Sequence, residues 1–142
     1  AYNYEKKYYR EALESYQKMV YKNPQDFSFY FNKAYSENSI GLTDNAIESY
    51  TTYINNYQTS SMAYNNRGSC YYKKRVYQKS IEDYTAAIRT GKSESKENIG
   101  MFYNNRASCY YYLNKKAEAC LDYKRAADLG NSSAINSYRN CK

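Results

Sequence analysis

Two nearly identical segments, YNNRGSCYY beginning at Tyr64 and YNNRASCYYY beginning at Tyr103, lie 39 residues apart in this chain. A third segment beginning at Tyr30, 34 residues before the first, has the same spacing of small and aromatic residues. In all three, small residues follow the leading tyrosine after four and sixteen positions, and another tyrosine follows after twenty. Recurrence at such a period is the signature of a repeat architecture. The chain is therefore expected to fold as a row of similar units.

Each unit is predicted to consist of two helices. Tyr64, Gly68 and Tyr71 fall at positions i, i+4 and i+7, which places them on one face of a first helix. Ser80 and Tyr84 repeat this spacing on a second helix. Because Gly68 and Ser80 are small, the two backbones can approach closely, and the larger rings fill the space beside them.

Turns between the helices are marked by residues that tolerate a left-handed backbone. Gly41 and Asn114 stand where such a C-cap is expected. Pro24 follows the second helix of an earlier, partial unit, where proline ends a helix without breaking it. The stretch TGKSESKEN contains the five residues by which the spacing of 39 exceeds 34, and its polar composition predicts a longer loop.

Charge and tyrosine content limit the partners and the core. The net charge is +7, but the basic residues are scattered, and no dense run indicates a specific nucleic-acid site. With 22 tyrosines, much of the core has to consist of rings whose hydroxyls need partners. No stretch approaches the roughly 20 apolar residues of a membrane span. Because the first residues already have a helical pattern, we expect the chain to be a fragment of a longer protein.

The cysteines Cys70, Cys109, Cys120 and Cys141 form no CxxC pair, and the chain contains no histidine. A metal site would need an unusual ligand set, and we expect neither a metal nor another cofactor. A disulfide framework would require an oxidising compartment. We favour reduced thiols that act as small buried groups, an interpretation that slightly favours a cytoplasmic location.

The combined pattern resembles the tetratricopeptide repeat (TPR) family, which has a 34-residue period. The residues that carry the resemblance are Tyr9, Ala12, Tyr16 and Pro24; Tyr30, Ala34, Ala46 and Tyr50; Tyr64, Gly68, Tyr71, Tyr77, Tyr84 and Ala87; and Tyr103, Ala107, Tyr110, Ala119, Tyr123 and Ala126. The departures are Lys33, Arg67 and Arg106 where leucine is commonest, Glu37 in place of a tyrosine, and Lys116 in place of an aromatic residue.

The resemblance implies an all-α fold, a right-handed superhelical solenoid of antiparallel helix pairs with a C-terminal capping helix. We expect one domain, 1–142, made of a partial repeat (1–26), three repeats (27–60, 61–94 and 95–131, the last preceded by the longer loop) and the cap (132–142). The cap is predicted from one apolar stripe: Ala134, Ile135, Tyr138 and Cys141.

Both units that carry an arginine on the inward face also carry an aspartate sixteen residues later. These pairs are Arg67 with Asp83 and Arg106 with Asp122. An inward arginine needs a carboxylate or other acceptors. We expect each arginine to meet its aspartate across the helix pair, or Asp83 to reach forward to Arg106. A catalytic arginine would need a nearby nucleophile or base, and the sequence places none there.

A binding surface is predicted where the first helices would line the concave side of the solenoid. Amides, hydroxyls and rings on this side can hydrogen-bond a peptide backbone and pack its side chains. The alternative is that these residues are ordinary solvated surface. The predicted binding residues are Phe31, Asn32, Tyr35, Asn65, Asn66, Ser69, Tyr72, Lys73, Asn104, Asn105, Ser108, Tyr111 and Tyr112.

Some TPR proteins hold the C-terminal carboxylate of heat-shock chaperones with a clamp of lysine, asparagine and arginine. Asn66 resembles one asparagine of that clamp. Phe31 and Tyr35 replace the lysine and second asparagine of the preceding repeat, and Met101 and Asn105 replace the lysine and arginine of the following one. Chaperone-tail binding is therefore not predicted.

The function expected from these patterns is non-catalytic protein–protein interaction, in which the groove receives a peptide segment or partner protein. The alternative is an assembly scaffold that stacks or self-associates through its uncapped N-terminal edge. An enzyme is not expected, because the sequence has no histidine, no paired carboxylates on one helix face and no glycine-rich phosphate loop.

Overall fold

Short connections separate every helix of this chain from the next. The computed structural model describes residues 2–141. Within these residues the helices are α1 (Tyr2–Lys22), α2 (Phe29–Ser39), α3 (Thr43–Asn56), α4 (Ser61–Lys73), α5 (Tyr77–Thr90), α6 (Lys96–Tyr112), α7 (Lys116–Asp128) and α8 (Ser132–Arg139). The all-α class predicted from the repeat is confirmed.

The chain divides into two compact units after Gln58. In the first unit, α2 packs against both α1 and α3. In the second unit, each helix from α4 to α8 packs against the next one along the chain. Each helix lies inside one of the predicted repeat segments, while the grouping of those segments into one domain stays a prediction.

The helices α4, α6 and α8 begin at residues whose side chains cap the first turn. Ser60 accepts a hydrogen bond from the backbone N–H of residue 63 at 3.3 Å, and Ser95 accepts one from residue 98 at 3.2 Å. Asn131 does the same for residue 134 at 2.9 Å. Such caps satisfy amides that have no partner inside the helix, and they fix where each helix starts.

The turns inside the repeats have the left-handed backbone that the sequence predicts. Gly41 has φ of 92° and Asn114 has φ of 59°. Arg75 occupies the same position in the middle repeat (61–94) and has φ of 61°, which was not predicted from the sequence. A residue with a Cβ is strained in this region, so the fold imposes this turn on a residue that is poorly suited to it.

The extra residues before the last repeat mainly lengthen a helix, which corrects the predicted longer loop. Eight residues separate the cap Ser95 from Tyr103, whereas four separate Ser60 from Tyr64, so four of the five extra residues lie in α6. Glu94 supports this start, because its carboxylate accepts hydrogen bonds from Asn98 Nδ2 at 2.9 Å and from Ser61 Oγ.

Small residues bring the paired helices into close contact, as predicted. Ser80 Oγ donates a hydrogen bond to the backbone carbonyl of Gly68 at 2.6 Å, and both residues are buried. A Cβ at Gly68 would lie 3.1 Å from the ring of Tyr84. Tyr84 is 2% exposed, and its hydroxyl finds a partner in Ser69 Oγ at 3.0 Å. Tyrosine therefore supplies core volume here with its polar end satisfied.

The predicted arginine–aspartate pairs are present in both repeats that carry them, and both repeats lie in the second compact unit. Arg67 Nε lies 2.9 Å from Asp83 Oδ2, and Arg106 Nε lies 2.6 Å from Asp122 Oδ2. The alternative, in which Asp83 reaches Arg106, does not occur, because Arg106 Nη1 instead donates to Thr85 Oγ1 at 3.0 Å. These arginines are positioned by structural ion pairs between the two helices of a repeat.

Candidate functional site

The predicted binding residues fall into two groups, one in each compact unit. In the first unit, Asn32 and Tyr35 line a cavity of about 220 Å³ beside Tyr8, Tyr9 and Tyr16 of α1. Tyr35 is 47% exposed, so its ring remains accessible. This cavity lies entirely on the α1–α2 side of the first unit.

Phe31 belongs to the packing of the first unit as well as to the predicted surface. Its ring centroid lies 5.7 Å from that of Tyr50 and 5.4 Å from that of Tyr53, both edge-on. Edge-to-face aromatic pairs of this kind stabilise a core beyond the area that they bury. A ligand contact at Phe31 would therefore involve a ring that α3 already holds in place.

The second unit has a cavity of about 360 Å³ on the side where α6, α7 and α8 meet, called here the α6–α8 cavity. Four predicted binding residues line it: Tyr72, Ser108, Tyr111 and Tyr112. The other lining residues are Lys116, Ala119, Cys120, Tyr123, Ser137, Asn140 and Cys141. Among the described residues, those that line this cavity include no carboxylate, so it combines rings, hydroxyls and an amide with one cationic side chain.

Tyr112 is the centre of an exposed tyrosine cluster at the mouth of this cavity. Its ring stacks on that of Tyr77 at a centroid distance of 5.2 Å and an interplanar angle of 4°. It also meets Tyr72 edge-on at 5.8 Å and Tyr111 edge-on at 5.9 Å. Tyr112 is nevertheless 58% exposed, so the packing orients a ring that still faces solvent.

Basic side chains surround the tyrosine cluster. Lys73 and Arg75 line an adjoining cavity of about 320 Å³ together with Tyr72, Tyr77 and Tyr112. Burial and the neighbouring hydroxyl of Tyr112 raise the pKa of Tyr72 above its ordinary value, so this phenol stays neutral and keeps its proton for hydrogen bonding. With Lys116, the cluster presents three cationic side chains and uncharged rings.

The asparagines at equivalent repeat positions have different surroundings. Asn65 is 4% exposed, and its Oδ1 accepts a hydrogen bond from Asn105 Nδ2 at 3.0 Å. Its own Nδ2 donates to Asn66 Oδ1 at 3.2 Å. The expectation that Asn65 points into a groove is therefore corrected, because it is buried in a hydrogen-bonded chain that joins α4 to α6.

Asn104 is the repeat equivalent of Asn65, but it has no equivalent partner. In α8, the hydroxyl of Ser137 donates to the backbone carbonyl of Ser133 at 3.2 Å. Within residues 2–141, no donor reaches the buried Asn104 Oδ1. The side-chain hydrogen bond that joins α4 to α6 therefore has no counterpart between α6 and α8 at Asn104 Oδ1.

The two predicted serines are tied to second-helix tyrosines. Ser69 Oγ lies 3.0 Å from Tyr84 OH, and Ser108 Oγ lies 3.4 Å from Tyr123 OH. Ser108 also donates to the backbone carbonyl of Asn104 at 3.1 Å. Both hydroxyls thus have an internal role, while Ser108 additionally lines the α6–α8 cavity.

The cysteines follow the prediction in one pair and contradict it in the other. Cys70 and Cys109 are free thiols with no exposed surface, as expected for small core groups. Cys120 and Cys141 instead form a disulfide, with the Cα atoms 5.8 Å apart. The capping helix brings the two residues together, and linear spacing alone did not reveal that approach. The argument for a reducing, cytoplasmic environment therefore loses the support of this pair.

Several residues of the α6–α8 cavity were missed by the sequence analysis, namely Lys116, Cys120, Tyr123, Ser137, Asn140 and Cys141. They belong to α7, α8 and the segment after α8, whereas the prediction considered only first helices. One signal was present in the sequence. Lys116 replaces the aromatic residue expected at its repeat position, and this substitution opens the cavity wall to a charge.

No cluster of three or more potential metal-binding side chains occurs in residues 2–141. Over the same residues, none of the helices combines the length and the apolar character needed to cross a bilayer.

The paired helices, the close contacts at small residues and the interlocking tyrosines define an α-helical repeat protein. Residues 63–90 match the family model of the tetratricopeptide repeat. The resemblance to the TPR family is therefore confirmed. No curated protein sequence matches this chain significantly.

Solved structures with the same fold cover most of the chain. MamA superposes with a TM-score of 0.79 at 17% identity, over 94% of this chain and 86% of that one. The first TPR of Spaghetti (RPAP3), bound to the HSP90 peptide SRMEEVD, gives 0.73 at 24% identity, over 82% and 90%. YrrB, described as a TPR protein with an unusual peptide-binding site, gives 0.76 at 21% identity, over 91% and 65%. These similarities show the TPR solenoid fold.

Proposed function

We propose that this protein is a non-catalytic interaction module that receives a peptide segment or partner protein on the first-helix faces of its repeats. In the second unit, the contact surface is the α6–α8 cavity and the tyrosine cluster beside it. The observation that carries the proposal is that four of the predicted first-helix residues, Tyr72, Ser108, Tyr111 and Tyr112, line one open cavity. Its volume of about 360 Å³ suits one or two side chains of a ligand.

The composition of the surface supports peptide recognition over catalysis. Tyrosine rings provide contact area at low entropic cost, and their hydroxyls hydrogen-bond a peptide backbone. The chain contains no histidine, and the described lining of the α6–α8 cavity has no carboxylate to serve as a general base. Lys73, Arg75 and Lys116 favour a docked segment that is free of basic residues. The HSP90 peptide bound by RPAP3 and the peptide-binding site described for YrrB, two proteins of the same fold, are consistent with this mode.

Peptides selected by display on the immobilised protein provide the test. Affinity for a selected peptide is measured with wild type, Tyr112→Ala and Leu121→Ala. Leu121 is a matched control, because it is 51% exposed and lies outside every described cavity lining. We expect Tyr112→Ala to weaken binding about tenfold or more, equivalent to about 1.4 kcal/mol, and Leu121→Ala to leave it unchanged. Equal effects of the two substitutions, with both variants folded by circular dichroism, would reject the site.

A second candidate function, assembly through α1, has a specific observation in its favour. Ser15 of α1 is exposed, whereas its repeat equivalents Ser49, Asp83 and Asp122 are all buried by the first helix of their own repeat. Met19 is likewise 42% exposed, whereas its repeat equivalents are the half-buried Tyr53 and the buried Ala87 and Ala126. This face of α1 is shaped to pack against a further helix, and we assign that role to a second copy of the chain.

Sedimentation velocity over a wide concentration range tests this second candidate. Wild type is expected to show a concentration-dependent dimer that Met19→Glu abolishes, because a carboxylate cannot be buried there without a partner. A monomer at all concentrations rejects self-association and leaves the peptide-binding proposal intact.

A further inference from the structure

The disulfide between Cys120 and Cys141 forms part of the wall of the α6–α8 cavity. We propose that it is a redox modification site, at which a dithiol reductant opens that wall and weakens peptide binding in the second unit. The effect on peptide binding rests on the function proposed above.

The disulfide attaches the C-terminal end of α8 to α7. Cys120 lies in α7, and Cys141 lies two residues beyond Arg139, where α8 ends. Ser137 and Asn140, on the same side of the cap, line the same cavity. The covalent link therefore fixes the end of the cap against α7 and, with it, the two nearby wall residues Ser137 and Asn140.

Non-covalent packing holds this end weakly. The helix α8 has eight residues, and Ala134 is its one fully buried residue. Ala134 lies near the start of α8, whereas residues 139 and 140 at its end are exposed. Helices this short are marginal without tertiary support. In the last turn only Ser137 and Tyr138 are half-buried, so breaking the link removes the covalent part of a limited attachment to α7.

The reaction is ordinary thiol–disulfide exchange. A thiolate of the dithiol attacks one sulfur, the S–S bond breaks, and the departing cysteine thiolate takes up a proton. The second thiol of the reductant then displaces the remaining cysteine. The protein gains two S–H groups, and the reductant leaves as a disulfide. Both cysteines are partly exposed and so are within reach of a reductant. Lys116 lies one helical turn before Cys120 and lines the same cavity, where its charge favours the thiolate leaving group.

The remaining cysteines do not compete in this exchange. Cys70 and Cys109 have no exposed surface. Burial also raises the pKa of Cys70 to about 11, so the reactive thiolate is scarce at neutral pH. Reduction is therefore expected to produce two accessible thiols and to leave two protected ones. The number of thiols that an alkylating reagent labels then reports reduction of this disulfide.

Two measurements on the whole protein test the redox site itself. Native alkylation followed by mass spectrometry should label Cys120 and Cys141 only after treatment with dithiothreitol, and should leave Cys70 and Cys109 unlabelled. Hydrogen exchange of residues 132–141 should accelerate at least tenfold on reduction, while exchange in α2 stays the same. Unchanged exchange in α8 after complete reduction overturns the proposal, whatever happens to peptide binding.

A third measurement tests the link to binding, with a peptide selected by display on the oxidised protein. Its dissociation constant should rise at least fivefold in dithiothreitol and in the Cys141→Ser variant without reductant. Dithiothreitol should have no further effect on Cys120→Ser/Cys141→Ser, which controls for other actions of the reductant. Faster exchange in α8 with unchanged affinity overturns the link. Failure to select any peptide overturns the proposed function instead, and the exchange measurement still decides the redox site.

Discussion

Arg67 and Asp83 form a two-point ion pair across α4 and α5, with Nε 2.9 Å from Oδ2 and Nη2 2.8 Å from Oδ1. The first unit satisfies the same position differently. There Lys33 Nζ lies 2.5 Å from Glu37 Oε1 on its own helix and 2.8 Å from Ser49 Oγ on α3. The carboxylate has moved from the second helix to the first, and Glu37 is buried at 2% exposure. Its presence where the repeat favours tyrosine is therefore explained by the serine at position 49.

The difference between the ion pairs of these two repeats leads to a prediction about stability. Asp83→Ser should lower the free energy of unfolding by about 3 kcal/mol, because it leaves a largely buried guanidinium without its carboxylate. Burial already raises the pKa of Asp83, and Arg67 opposes that rise, so the acid is tolerated only because of its partner. Urea denaturation at neutral pH measures the loss.

The matched variant is Arg67→Lys/Tyr71→Glu/Asp83→Ser, which copies the residues of the first unit into the second. It should recover at least half of the stability lost by Asp83→Ser alone. If the triple variant is no more stable than the single one, the two networks are not equivalent and the explanation of Glu37 is wrong.

The ion pairs illustrate which contacts could be predicted from the sequence, namely those that recur at a fixed spacing. Arg67 and Arg106 could be paired with their aspartates because the sixteen-residue spacing occurs twice. The network of Lys33 occurs once, so no second copy revealed it. The residues around Ser95 are polar, and polar residues suit a loop as well as the first turn of a helix. That ambiguity is why the extension of α6 was assigned to a loop.

The binding surface was predictable only where exposure follows helical spacing. Tyr72 and Tyr112 were found because they lie on first helices. The wall supplied by Cys120 and Cys141 was not found, because four cysteines allow three pairings and no spacing selects one. Asn65 was misplaced because it was expected, as a first-helix residue, to line the concave side, whereas the hydrogen bond from Asn105 of the next first helix holds it buried.

The strained turn at Arg75 predicts a stabilising substitution. Arg75→Gly should raise the free energy of unfolding by about 0.5–1 kcal/mol, since glycine adopts positive φ without steric cost and the gain exceeds its entropic penalty in the unfolded chain. In a domain of this size, that is about 2–4 °C in Tm. Asn114→Gly is the control and should gain less, because asparagine already tolerates this conformation. Differential scanning calorimetry compares the two, and a larger gain at 114 than at 75 would contradict the strain argument.

The amide chain predicts that equivalent asparagines are not equivalent in stability. Asn105→Ala removes the donor to Asn65 Oδ1 and leaves that buried oxygen unpaired, at a cost of about 1–3 kcal/mol. Asn104→Ala should cost clearly less, because the Oδ1 of Asn104 has no donor to lose. Chemical denaturation of both variants measures the difference. Equal losses would show that the hydrogen bond from Asn105 to Asn65, between α6 and α4, contributes no specific stability.

The buried thiol of Cys70 and the buried phenol of Tyr84, both in the second unit, predict loss of stability in alkaline solution. Burial raises the pKa of Cys70 from 9.0 to about 11 and that of Tyr84 from 10.0 to about 12. The folded state therefore keeps protons that the unfolded state has already released, and the stability from these groups is fully present below about pH 9. It falls as the pH rises towards about 11 and 12, by about 2–3 kcal/mol for a two-unit difference at one group.

Urea denaturation between about pH 8 and about pH 11 measures this slope, and Cys70→Ala isolates the share of the thiol. The variant starts from a lower stability at neutral pH if packing is lost, but its stability should decline less steeply with pH than that of wild type. The opposite sign, with stability rising above about pH 9, would require the thiolate to be favoured in the fold. The lysine that opposes the effect at Cys70 is Lys73, so Lys73→Gln should steepen the wild-type decline because it removes a nearby cation that favours the thiolate.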